Sequence, residues 1–187
     1  KFSLGLLFNT ILFSAAFYLF FITIKDFLDK KFNSLSQKIA HFGFSLLILS
    51  ILFNSILSTE IITNIKVGEK FKFKSSQILF EKIETSKNRN YNSIVGHFKI
   101  NDQKGKVINL KPELRIYNQP KTITSEADIR TTLLADTFLV MNFVKDKDKE
   151  YFNIRYQVKP FMIWIWISVL LISFGGLVSL LKRKNEK

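Results

Sequence analysis

The chain contains no cysteine, so a disulfide framework, a thiolate metal site and a cysteine nucleophile are all excluded. That absence does not identify a compartment. Histidine is nearly missing as well, with only His41 and His97. A serine nucleophile would need a general base, and neither imidazole is placed to serve one. There is no glycine-rich phosphate loop, and the carboxylates are scattered without the spacing of a metal site. Internal repeats and low-complexity tracts are absent. Charge is missing from three long stretches, and these dominate the reading.

The three stretches are Phe2 to Ile24, Ile39 to Leu57 and Phe161 to Leu181. Each is near the ~20 residues that cross ~30 Å of hydrocarbon. The first is longer than a signal-peptide core and lacks a small-residue cleavage site, so it reads as a true span. A chain that opens on Lys1 reads as the C-terminal piece of a longer or processed protein. The expected fold class is a membrane α-helical protein with three transmembrane helices. A small all-β extracytoplasmic domain is inserted between the second and third.

The segments are 1–24 (span), 25–38 (cytoplasmic linker), 39–57 (span with His41), 58–160 (β-rich domain), 161–181 (span) and 182–187 (basic tail). The linker carries Lys25, Lys30, Lys31 and Lys38 against Asp26 and Asp29, and the tail carries Lys182, Arg183, Lys184 and Lys187 against Glu186. Short basic segments at span ends stay cytoplasmic, which puts residues 58–160 on the outer side. The net charge of +13 would suggest nucleic acid on a soluble chain. Here the lysines form no stripe with aromatics, and a nucleic-acid partner is not expected.

The middle segment reads as β. "EKFKFKSS" alternates Phe71 and Phe73 with lysines, a period-2 pattern with one apolar face. "SQILFEKIE", "SIVGHFKIN", "KVINL" and "ELRIYNQP" look like further strands, with the turn "NDQKG" joining the second to the third. "DTFLVMNFV" and "YFNIRYQV" flank the charged turn "KDKDKE" as a hairpin. About seven short strands suggest a small sandwich or open barrel. Pro112, Pro120 and Pro160 fall at strand edges and ends, where a missing N–H matters least.

His41 stands only a few residues inside the second span. An ionisable side chain at membrane depth is a functional candidate by default. At ~100° per residue it shares a helix face with Ser45, Ile48, Leu52 and Ser55. Gly43 and the serines would let a neighbour approach closely. A neutral imidazole is a good ligand for haem iron and several metals. The competing reading is that His41 reaches back to the interface and binds water or phosphate. His97 reads as a half-exposed strand residue outside the membrane. Most of a bilayer would separate the two histidines, so they cannot share one iron. Trp164 and Trp166 in "PFMIWIW" read as interface anchors, and Gly175 and Gly176 as close-packing positions. Paired charges or broken helices within the spans would mark a transporter, and there are none.

"AHFG" opens a span and a β-rich domain follows. Then come "KPELRIYNQP", "TSEADI" and "VKPFMIWIW", with a final span carrying "GG". This order resembles the C-terminal part of the CcmF family, the haem-lyase subunit of cytochrome c maturation. The resemblance covers essentially the whole chain and is strongest at Ala40–Gly43, Lys111–Tyr117, Ser125–Ile129 and Lys159–Trp166.

It implies a multi-pass protein of the bacterial inner membrane, or of the mitochondrial inner membrane if organelle-encoded. The implied partners are other cytochrome c maturation subunits, the haem chaperone, apocytochrome c, membrane lipid, and an N-terminal part or split partner chain. It implies a haem b in the membrane with His41 as an axial ligand, the second ligand lying nearer the family's N-terminus. That haem would keep the incoming haem iron reduced. The family's tryptophan-rich WWD segment and its flanking histidines are absent here, so this chain would not form thioether bonds alone. The alternative is a membrane-anchored β-domain acting only as an assembly module, without haem.

Overall fold

The computed structural model describes residues 4–29, 34–101, 105, 107–146 and 149–185. Several expectations fall outside the described residues: Lys30 and Lys31 of the linker, the turn residues 102–104 and 147–148, and Glu186 and Lys187 of the tail. The described chain forms two compact units. One holds residues 1–58, 132–135 and 160–187, and the other residues 59–131 and 136–159.

The first unit is helical: α1 (Leu4–Leu28), α2 (Leu35–Leu57) and α3 (Met162–Asn185). All three contain stretches long and apolar enough to cross a membrane: Leu7–Leu28, Leu35–Leu57 and Met162–Lys182. At ~1.5 Å per residue each covers ~30 Å or slightly more. The helices overrun the charge-free runs. α1 continues through Lys25 and Asp26, because a helix may leave the hydrocarbon without ending. α2 starts early because Ser34 caps it. The Ser34 hydroxyl accepts from the Gln37 amide at 3.4 Å, and the Gln37 side chain accepts from the Ser34 amide at 3.2 Å. This reciprocal box satisfies two otherwise orphaned donors.

α2 is the central helix, in contact with α1 on one side and α3 on the other. Glycines set the α3 side. A Cβ on Gly43 would stand 2.9 Å from the Leu171 Cβ and 3.0 Å from the Ile172 nitrogen. A Cβ on Gly175 would stand 2.8 Å from the Ser36 carbonyl oxygen and 2.9 Å from the Ala40 nitrogen. Lipid gives helices no hydrophobic reason to associate, so close van der Waals contact between backbones must supply it. Gly176 has open space around it and takes no part. On the α1 side the buried hydroxyls of Thr23 and Ser45 meet at 2.7 Å. Each also lies within bonding distance of a carbonyl of its own helix, Phe20 and Phe42 respectively. At the far end the Asn54 amide donates to the Pro160 carbonyl at 2.7 Å, which ties α2 to the start of α3.

The second unit is a sandwich of two antiparallel sheets. In chain order the strands are β1 (Thr59–Ile65), β2 (Lys70–Phe73), β3 (Ser76–Lys87), β4 (Tyr91–Asn101), β5 (Val107–Leu110), β6 (Glu113–Asn118), β7 (Lys121–Glu126), β8 (Asp128–Thr131), β9 (Ala135–Asp146) and β10 (Lys149–Pro160). One sheet runs β1-β10-β9-β8. The other runs β2-β3-β4-β6-β7, with β5 paired to β4. Ten strands therefore replace the expected seven. The additional ones, β1, β7 and β8, sit at sheet edges, where one-sided burial and short length blur the period-2 signal. Both expected hairpins form. β4 pairs with β5 from Asn101 opposite Val107, and β9 neighbours β10.

The core lies between the sheets. Phe80 and Phe98 are register partners on β3 and β4, with ring centroids 4.2 Å apart. Phe152 of the opposite sheet meets Phe80 edge-on at 5.4 Å. Ile78, Ile100, Leu114, Leu139, Met141 and Ile154 close the rest, all 2% exposed or less. Phe71 and Phe73 pack against this core while Lys70 and Lys72 stay exposed, as the alternation requires. Pro112 immediately precedes β6, Pro120 stands in the turn between β6 and β7, and Pro160 ends β10.

Candidate functional site

His41 lies two turns into α2, and its side chain is exposed. Two faces of α2 are spoken for. Ser36, Gly43 and Ser50 are buried on one, and Ser45 and Leu49 on the other. The third face carries Gln37, His41, Phe44, Ile51 and Ser55, all exposed. Neither α1 nor α3 covers it. This divides the grouping expected from the helical wheel. Ser45 turns into the α1 contact, while His41, one turn earlier, stays outside it. The difference is physical, because Thr23 captures the Ser45 hydroxyl and α1 then shields that edge of the helix.

What the open face offers is one imidazole beside apolar side chains, Phe44 being 53% and Ile51 48% exposed. An apolar cleft of about 350 Å³ lies elsewhere on the bundle. Phe20, Phe42, Leu46, Phe53, Trp164 and Leu171 line it, and His41 does not. Among the described residues no group of three or more His, Asp or Glu side chains could hold a metal ion. One imidazole can still supply a single axial bond to a metal held by a macrocycle. The imidazole is exposed on this face, so a flat partner has access to it.

His97 is on β4, in the other unit, and is more buried than a half-exposed strand residue, with 14% of its side chain accessible. Its Nε2 stands 2.9 Å from a Glu84 carboxylate oxygen across the β3–β4 pair. Glu84 also accepts from Lys82. Hydrogen bonding, from Lys82 first and His97 second, holds the Glu84 carboxyl below its ordinary range. Lys82 and Glu84 form an ion pair on the strand surface, with the His97 imidazole beside it.

The sequence reading missed a second such cluster, because it missed β1. Glu60 lies opposite Gln157 in the β1–β10 register. It accepts two bonds from the Arg155 guanidinium, at 2.7 and 3.1 Å, and one from the Gln157 amide at 2.6 Å. The Arg155 and Gln157 bonds hold its carboxyl below the usual value, and its bonds to Arg155 raise that guanidinium in turn. No signal short of identifying β1 could have joined residues 95 positions apart.

Trp164, expected as an interface anchor, also makes a specific bond. Its indole N–H donates to the Leu133 carbonyl at 2.8 Å. Trp166 is 62% exposed, as an interface aromatic would be.

Comparison with known proteins agrees with this layout. The family described as the CcmF C-terminal beta-sandwich matches residues 56–160. A cytochrome c-type biogenesis protein CcmF of Pseudomonas fluorescens is 27% identical over 79% of this chain and 22% of its own length. A probable cytochrome c-type biogenesis protein NrfE of Escherichia coli is 27% identical over 84% of this chain and 28% of its own. A solved cytochrome c haem lyase CcmF superposes with a TM-score of 0.67 at 18% identity, covering 95% of this chain and 30% of that one. The chain thus spans between a fifth and a third of the length of these relatives. It belongs to the CcmF family and carries that family's C-terminal β-sandwich between membrane-spanning helices.

Proposed function

We propose that this chain is the C-terminal part of a haem lyase of cytochrome c maturation, and that His41 is an axial ligand of a haem b in the membrane. One observation carries the reading. The only histidine of the helical unit, in the segment Ala40–Gly43, projects from the face of α2 that α1 and α3 leave open.

Bound there, haem b supplies reversible one-electron exchange. The chain's own residues do the rest. His41 offers a ring nitrogen. Phe44, three residues on, offers an apolar side chain on the same exposed face. Gly43 and Gly175 fix α2 against α3, so the imidazole is presented from a braced helix. The resemblance implies that the second axial ligand lies outside this chain, nearer the N-terminus of the full protein. The proposed role is to keep the incoming haem iron reduced while thioether bonds form elsewhere in the full protein.

The short basic segments at Lys25–Lys38 and Lys182–Lys187 favour a cytoplasmic location for those ends. The sandwich then lies on the outer side, as a scaffold facing the apocytochrome and partner subunits. Complementation in cells lacking the native gene tests the reading. His41→Ala should abolish covalent haem staining of c-type cytochromes at unchanged protein level, while His97→Ala should leave it. Normal staining with His41→Ala would refute it.

A further inference from the structure

The connection between β8 and β9, with the first residue of β9, is Thr132–Ala135, a stretch without charge. It clusters with the helices rather than with the sandwich. Tight connections favour Gly, Pro, Asn, Asp or Ser, each for a conformational reason. Leu133 and Leu134 serve no such purpose. Nor do they fill a core, since they are 65% and 72% exposed.

Their backbone is nevertheless firmly held. Thr132 and Ala135 close the turn reciprocally: the Thr132 amide donates to the Ala135 carbonyl at 3.1 Å, and the Ala135 amide donates to the Thr132 hydroxyl at 3.1 Å. Both leucine carbonyls accept from the start of α3, one from the residue before it and one from its first turn. The Phe161 amide donates to Leu134 at 2.9 Å, and the Trp164 indole to Leu133 at 2.8 Å. The tip thus shares the depth of the α3 N-terminus. That end of a membrane-spanning helix lies at the boundary between hydrocarbon and headgroups, where tryptophan is enriched. Neither Thr131–Ala135 nor Phe161–Trp166 contains a charge that would oppose entry.

We infer that Thr132–Ala135 is a membrane-dipping tip, whose two leucines seat among lipid chains at the interface beside Trp164. It adds a lipid contact outside the three helices and fixes the depth at which α3 begins. The inference rests on α3 spanning the membrane and not on the haem reading.

Single cysteines replace Leu133 or Leu134 in the complete protein, after any cysteine elsewhere in it has been replaced. Each carries the polarity-sensitive fluorophore NBD, in nanodiscs of phosphatidylcholine. Both side chains are exposed, so neither label displaces a core. The expected result at both positions is blue-shifted emission, quenched by lipids with a nitroxide high on the acyl chain and untouched by aqueous iodide. Water-like emission quenched by iodide would overturn the inference. Blue emission insensitive to both quenchers would also overturn it, placing the tip against protein.

Discussion

Gly175 and Gly176 are neighbours on α3, and they should respond oppositely to the same substitution. An alanine at 176 meets nothing within 4 Å. An alanine at 175 would stand 2.8 Å from the Ser36 carbonyl oxygen and 2.9 Å from the Ala40 nitrogen, where ordinary contact begins at 3.4 Å. These are backbone atoms and cannot rotate away, so the α2–α3 seam must open by roughly half an ångström. Overpacking of this kind costs about 1–3 kcal/mol. The gain in helix propensity, at most ~1 kcal/mol, is common to both variants and cancels in the comparison. Gly175→Ala should therefore be about 1–3 kcal/mol less stable than Gly176→Ala.

Both tryptophans of the chain, Trp164 and Trp166, are on α3. Their fluorescence reports separation of this helix during SDS titration in mixed micelles. Equal midpoints for the two variants would refute the close-seam reasoning. The consequence reaches the candidate site, because Ala40, the contact of Gly175, adjoins His41.

Three further outcomes follow from the packing and charges. Thr23→Val with Ser45→Ala, in a double-mutant cycle on the same assay, should show a coupling of ~0.6 kcal/mol and no more than ~1.7, the range for hydroxyl bonds between membrane helices. Phe80→Ala removes a fully buried ring stacked on Phe98 and should destabilise the sandwich by about 3–5 kcal/mol, read as early loss of its β circular dichroism on heating. Arg155 and Gln157 hold the folded Glu60 carboxyl below its ordinary 4.5, so its stabilising effect is complete above that pH and disappears as the pH falls through the lowered folded value. The gap in melting temperature between wild type and Glu60→Gln should accordingly stay constant from pH 7 to about 5 and close as the pH falls below the ordinary 4.5; a gap that widens on acidification would contradict the sign.

The spans were legible because hydrocarbon permits little besides long uncharged runs. Their ends were less so, because the Ser34–Gln37 box starts α2 ahead of its charge-free run. β2 showed itself through the alternation of Phe71 and Phe73 with lysines that one buried face imposes, and β9 and β10 through the charged turn between them. β1 did not, because Ile61 and Ile62 stand side by side while only Ile61 packs on the core and Ile62 is 58% exposed. β7 places Ile123 outward at 67% exposure, against the pattern that would mark it. For His41, its place near the start of a long apolar helix could be read from the chain. Its face could not, because helical periodicity relates Ser45 to His41 without saying that α1 takes one and leaves the other. The leucines of the β8–β9 connection carried no local signal, since their meaning depends on a bond to Trp164, 31 residues away.

The assignment of His41 is best tested by a reduced-minus-oxidised optical spectrum of the complete protein in membranes, wild type against His41→Ala. With the protein present at equal amount, the variant should lose the low-spin b-type α band. A band of unchanged position and intensity would remove His41 from the haem site and leave this chain as a scaffold.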